Sequence, residues 1–252
     1  MKLWKPAVLG AAVLLTGVLW LTRAVPVNGW GLAFPTPGAA PAAPLEPERL
    51  AELDAAYLDP DGGKVLYLTF DAGYENGFTA GLLDVLKERQ VPAAFFLVGD
   101  YLERNADLVR RMVAEGHIVG NHTMTHPDMT RLDARAFEAE LRGMEQLYQD
   151  VTEQTLPKFF RPPQGLYSEK TLRMARELGY KTVFWSLAHA DWNNDDQPDP
   201  DAAAEKLTGR LHDGAVILLH ATSKTNAEIL DRLITQWQDM GYRFAPLTEL
   251  FS

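Results

Sequence analysis

Short uninterrupted apolar runs alternate along the chain with longer segments whose apolar positions recur every three or four residues. The runs at 65–70, 93–98 and 215–219 are short and rich in β-branched and aromatic side chains, so each predicts a buried strand. Shorter strands are predicted at 117–120, 158–161, 181–186 and 243–244. The segment 77–89 carries Leu82, Leu83, Val85 and Leu86 at helical spacing and predicts a helix. Further helices are predicted at 48–57, 105–115, 133–150, 168–178, 201–211 and 225–240. Start and stop residues support several of them: Asn105 opens and Gly116 closes one, and Gly179 and Gly241 close two others. Strand followed by helix, repeated about seven times, predicts an α/β fold with a parallel sheet and helices outside. In such folds functional side chains gather at the carboxyl ends of the strands.

The first 47 residues break this pattern. Lys2 and Lys5 precede an apolar run from Pro6 to Leu21 that ends at Thr22-Arg23. A basic tip followed by a hydrophobic core is an export signal. The run is short for a membrane span, which needs about 20 apolar residues. Residues 1–23 therefore predict a signal anchor or a cleaved signal peptide, with the lysines cytoplasmic and the rest of the chain outside. Residues 24–47 are rich in Pro and Ala. The prolines forbid regular helix or central strand and predict an extended spacer. Trp30 and Phe34 are unusual in a spacer and are expected to pack onto the domain, which spans 48–252.

Composition narrows the chemistry. The chain has 252 residues with 34 acidic against 24 basic side chains, a net charge of −10. Such a chain gains nothing from neutralising phosphates, so nucleic acid is excluded as a partner. Cysteine is absent, which rules out disulfides, thiolate nucleophiles and cysteine metal sites. No obligate protein partner is implied.

Five polar clusters fall where the predicted strands end. Asp71 follows Thr69-Phe70, and serves as a turn residue or as an acid in the mouth of the fold. His122 and His126, four apart, suit one face of a helical turn and one shared metal, or are ordinary hydrogen-bonding histidines. In Arg161-Pro162-Pro163-Gln164-Gly165, two prolines remove donors and stiffen the backbone. The next free N–H, on Gln164, suits an oxyanion, and Arg161 suits a carboxylate partner. Asp191 stands beside Trp192, and an acid flanked by aromatic rings suits a sugar. His220 ends an apolar strand, as a satisfied core histidine or a general acid/base.

Together and in this order, the clusters resemble the polysaccharide deacetylase family, the NodB-homology domains, from about Val65 to the C-terminus. The motifs are Thr69-Phe70-Asp71, His122-x-x-x-His126, Arg161-Pro162-Pro163-x-Gly165, Asp191-Trp192 and Leu218-Leu219-His220. Within the family, Phe70-Asp71-x-Gly73-Tyr74-Glu75-Asn76-Gly77 and Thr182-Val183-Phe184-Trp185-Ser186 are similar to the muramic acid de-N-acetylases of δ-lactam synthesis. The resemblance implies a distorted (β/α) barrel of about seven strands. It implies Asp71 as general base, His220 as general acid, Arg161 orienting Asp71, and Asp191 holding His220. Gln164, Tyr74 and Trp192 fall at the substrate and oxyanion positions, and His122 and His126 at the metal. It implies peptidoglycan glycan strands as substrate, reached outside the cytoplasm from the membrane or the cell wall. Ala72 departs from the pattern, because most of the family places there a second acid that is the third metal ligand. Ala188 similarly replaces an Asp. A divalent metal, zinc or similar, is therefore expected to be held weakly or not at all, with the imidazoles otherwise bonding the acetyl or lactyl group directly. A glycan-binding module without activity, and a glycosidase using Asp71 and Asp191, are the rival readings.

Overall fold

The computed structural model describes residues 28–252. The predicted signal 1–23 and residues 24–27 of the predicted spacer lie outside them. The strands are β1 (Asn28–Gly29), β2 (Ala55–Ala56), β3 (Val65–Ala72), β4 (Ala93–Leu97), β5 (Ile118–Asn121), β6 (Phe159–Phe160), β7 (Leu166–Tyr167), β8 (Lys181–Val183), β9 (Leu187–Ala188), β10 (Ala215–His220) and β11 (Arg243–Phe244). The helices are α1 (Pro47–Ala51), α2 (Thr79–Arg89), α3 (Gly99–Arg104), α4 (Ala106–Ala114), α5 (Ala134–Thr152), α6 (Glu169–Glu177), α7 (Pro200–Gly209) and α8 (Lys224–Asp239).

Nine strands form one sheet in the order β2-β8-β6-β5-β4-β3-β10-β9, with β11 pairing the start of β3. Its pairings are parallel throughout. The path ends at β2 and β9, and an antiparallel bridge from Leu58 to Ala215 ties the chain after β2 to the start of β10. This is the distorted (β/α) barrel implied by the sequence. The strand number exceeds about seven because β2 and β9, two residues each, are too short to carry a periodic signal.

The period-two alternation of β3 sorts its side chains into two layers. Leu66, Leu68, Phe70 and Ala72 join the outer apolar layer with Leu82, Leu83 and Leu86 of α2 and Leu230 and Leu233 of α8. Val65 and Tyr67 face inward, packing in the inner cluster with Phe96, Val183 and Val216. Thr69 and Asp71 continue that inward face. Long helices form where the apolar stripe is strong: α5 buries Phe137, Leu141, Met144 and Tyr148, and Asp133 caps it by accepting from the Ala136 N–H.

Several boundaries differ from expectation. The helix predicted at 48–57 ends at Ala51. Asp54 then turns left-handed, at φ 49°, and Ala55–Ala56 becomes a strand. The strand predicted at 181–186 stops at Val183. The Phe184 N–H still donates to Ala56 O, but the Ser186 N–H crosses to Val216 O. Helix α3 was not predicted. Residues 28–46 lie against the domain instead of standing away from it. Asn28 and Gly29 pair antiparallel with Tyr167 and Leu166. Trp30 is buried, stacks on Phe184 at 4.1 Å between ring centroids, and donates from Nε1 to Trp185 O at 2.9 Å. Phe34 lies under the Arg210 guanidinium, 4.5 Å from its carbon. Among the described residues no helix is long and apolar enough to cross a membrane.

Candidate active site

A cavity of about 720 Å³ opens at the carboxyl ends of β3, β5 and β10. Asp71, His122, His126, Gln164, Trp192 and His220 line it, together with Trp30, Phe34, Trp185, His189 and Lys206. Asp71 and His220 reach it from neighbouring strands. They stand opposite one another in the parallel register of β3 and β10.

Asp71 is nearly buried, and its Oδ1 accepts from Arg161 Nη1 at 2.7 Å. Arg161 itself is fully buried. Its Nε donates to Val183 O at 3.0 Å, and Nη2 to Thr69 Oγ1 at 2.9 Å and to Phe184 O at 3.3 Å. The guanidinium also lies over the Phe96 ring, 4.2 Å from its centroid. Every direction of approach is thus filled, and the group has no freedom to leave its carboxylate. Burial pushes the Asp71 carboxyl up. The charge of Arg161, followed by His122 and His220, outweighs burial and holds it below the usual carboxylate range.

The second pair is built the same way. Asp191 is fully buried, and its Oδ1 accepts from His220 Nδ1 at 2.7 Å. Its Oδ2 accepts the His220 backbone N–H at 2.8 Å and Asn226 Nδ2 at 2.5 Å. Burial alone would lower His220. The hydrogen bond and charge of Asp191, with Asp71 beyond, reverse this and raise it above an ordinary histidine. Asp191, raised by burial, is held below its ordinary value by His220. With Nδ1 committed to Asp191, the Nε2 of His220 is left for the cavity.

His122 and His126 meet with ring centroids 4.9 Å apart. They do not sit on a helical turn, as their spacing predicts. Thr123 and His126 adopt left-handed backbone, at φ 72° and 57°, and a loop folds the two rings together. The Thr123 hydroxyl accepts the His126 N–H at 2.9 Å and fastens that loop. His122 Nδ1 donates to Arg161 O at 2.8 Å, which leaves Nε2 as an acceptor, 3.6 Å from Asp71 Oδ2. Burial, only partly opposed by Asp71, pushes His122 down to about 4. Burial also lowers His126. Both rings are neutral at pH 7.

The donor set does not fit a three-ligand metal site. A catalytic zinc takes three protein ligands, and here His122 and His126 stand with no third donor beyond Asp71, whose Oδ1 is held by Arg161. Ala72 packs in the outer apolar layer. Among the described residues no group of three His, Cys, Asp or Glu is placed to hold an ion.

Gln164 borders the cavity at φ 57°, a left-handed turn set by the two prolines before it. Trp192 lines the cavity and is 62% exposed, its ring 6.2 Å from that of His220. Tyr74 stands apart. It does not line the cavity, and its hydroxyl accepts from Asn194 on the loop beside Trp192. Sequence reasoning missed Asn226 and His189. The Asn226 amide donates to Asp191, so its Oδ1 accepts from His189 Nε2 at 2.9 Å. Asn226 lies in the first turn of α8, where its sequence signal is that of a helix start, and only the fold carries it to Asp191.

The polysaccharide deacetylase family model matches residues 59–183. The peptidoglycan-N-acetylmuramic acid deacetylase PdaA of Bacillus subtilis is 39% identical over 98% of this chain and 95% of its own length. The solved structure of B. subtilis PdaA, a family 4 carbohydrate esterase, superposes with a TM-score of 0.85 at 38% identity, covering 89% of this chain and 96% of that one. A family 4 pseudoenzyme from Bacillus anthracis superposes with a TM-score of 0.73 at 27% identity, over 82% of this chain and 70% of that one. The chain belongs to the polysaccharide deacetylase family and is a carbohydrate de-N-acetylase.

Proposed function

We propose that the protein hydrolyses the N-acetyl group of N-acetylmuramic acid in peptidoglycan, giving the free amine from which muramic δ-lactam is made. The observation that carries the chemistry is the register of β3 and β10. It sets a carboxylate held below its ordinary pKa directly beside an imidazole raised above its own by Asp191. Amide hydrolysis needs both at once: a base to activate water and an acid to protonate the leaving nitrogen.

In the proposed mechanism a water donates one hydrogen to Asp71 Oδ2 and the other to His122 Nε2, both acceptors. Asp71 takes the proton as the oxygen attacks the acetyl carbon. The Gln164 N–H faces the developing oxyanion. His220 Nε2 then protonates the sugar nitrogen, the C–N bond breaks, and acetate leaves. Asp191 and Asn226 hold the His220 ring throughout. Trp192 offers an exposed aromatic face to a pyranose. No step is routed through a metal.

The muramic assignment is supported by near full-length similarity to PdaA and by the motifs around Phe70 and Trp185. The N-terminal pattern supports an exported protein, anchored in the membrane or released to the cell wall. Ala72 and the likeness to a pseudoenzyme favour a glycan-binding module as the second reading. Both ion pairs are nevertheless complete, which binding alone does not require. Mass spectrometry of muropeptides after incubation decides between them. Loss of acetyl from the muramic sugar is expected. Loss from glucosamine alone, or none, defeats the proposal.

A further inference from the structure

The catalytic cavity does not end at Phe34 and Lys206. Both residues also line an adjoining groove of about 520 Å³, bounded by Thr36 and Pro37 of the N-terminal segment, by Glu205 of α7 and by Arg210 at its C-terminus. Arg210 caps the C-terminus of α7, four residues after Lys206. Arg210 is held in place over the Phe34 ring, and Lys206 stands exposed at the junction of the two spaces.

The charges at this junction differ from those inside the cavity. Inside the cavity, Asp71 is matched by Arg161 and Asp191 by His220. Lys206 has no carboxylate within ion-pairing distance among the described residues, and neither has Arg210. Elsewhere Arg135, Lys64, Lys170 and Lys181 also lack such a partner, but none of them lines this cavity or the adjoining groove. An acidic chain has carboxylates to spare, yet it leaves two cations unpaired at the mouth of its active site, against one nearby anion, Glu205. Clefts lined by one sign of charge concentrate the opposite sign.

We propose that Lys206, backed by Arg210, is a subsite for a carboxylate carried by the substrate sugar beside the reacting N-acetyl group. This rests on the muramic reading. The O3 lactyl ether of a muramic residue adjoins the C2 acetamido group and ends in a carboxyl, whereas N-acetylglucosamine has only a hydroxyl there. The carboxylate has two sources, the free lactyl acid of stripped strands or the acidic residues of an attached stem peptide. Both offer the same group to the same cations.

Steady-state kinetics of the full chain test this with four substrates: stripped glycan strands with free lactyl acid, the same strands with that acid converted to its methylamide, strands bearing stem peptide, and an N-acetylglucosamine tetramer. An exposed ion pair is worth a few-fold in binding, so Lys206→Met raises KM about two- to fivefold on the carboxylate-bearing substrate. Lys206→Glu raises it further, and Arg210→Met raises it less. The change is confined to KM and shrinks in high salt as screening weakens the pair. An effect on free-acid strands assigns the lactyl group, and one seen only with stem peptide assigns the peptide. Equal changes on charged and neutral substrates, or none, overturn the subsite. If the wild type acts on the tetramer and on no muramic strand, the muramic reading itself falls. If it acts on muramic strands and Lys206→Met behaves as wild type, the subsite alone falls.

Discussion

His220 and His122 line the same cavity within reach of the same carboxylate, Asp71, yet the fold pushes them in opposite directions. His220 has a buried carboxylate of its own, fixed by two further donors, and is raised above an ordinary histidine. His122 has a backbone carbonyl on one nitrogen and only a distant share of Asp71 on the other, and falls to about 4. Residue type is the same; neighbours decide the charge. In the proposed mechanism one ring serves as the proton donor and the other as a neutral acceptor for the attacking water.

Breaking the charged pairs should have the largest effects. Asp71→Asn and His220→Gln each lower kcat by about two to four orders of magnitude, read as acetate release. Retained activity in Asp71→Asn would show that the base has been misassigned. Arg161→Met leaves Asp71 buried without its cation and costs about 3–5 kcal/mol of stability in a denaturant melt. It also frees burial to raise the Asp71 pKa, so the acid limb of the pH–rate profile moves to higher pH.

Asp191→Asn sharpens the comparison from the other side. His220 must be protonated to act, and Asp191 is the main group holding its pKa up. Without that carboxylate burial prevails, and the alkaline limb of kcat/KM moves to lower pH. The rate at neutral pH falls about tenfold or more. His122→Ala costs less, about tenfold in kcat, because it removes one acceptor of the attacking water. It leaves the profile between pH 5 and 9 unshifted, since a group titrating near 4 is already neutral there. The smallest effect is expected from chelation. Two imidazoles without a third ligand hold a divalent ion loosely, so dialysis against a chelator leaves the rate unchanged. Lost activity that returns with zinc would break the contrast drawn between the two histidines.

Much of this site is legible in the chain. The apolar runs at 65–70 and 215–219 mark the two central strands, because burial on both faces leaves a continuous hydrophobic signature. Asp71 and His220 then stand out as polar residues at their ends. Arg161 is marked by the prolines that follow it. The strands β1, β2, β7 and β9 and the true end of α1 are not legible, since tertiary pairing overrides weak local preference in short segments. The histidine spacing misleads about backbone shape. Four residues apart suits a helix, but left-handed residues at Thr123 and His126 bring the rings together by another route.

The sequence by itself determined which groups are available: the strand–helix order, five polar clusters at strand ends, an acidic chain without cysteine, and Ala72 in place of an acid. These are local or compositional properties, and they survive in any conformation. Only the tertiary structure decided what the groups become. It set Asp71 opposite His220 on parallel neighbours, brought Asn226 from a helix start to brace Asp191, and laid Trp30, Leu32 and Phe34 along the cavity with Phe34 against Arg210. Protonation, pairing and cavity shape depend on contacts across long stretches of chain, where burial and neighbouring charge outweigh anything a residue carries alone.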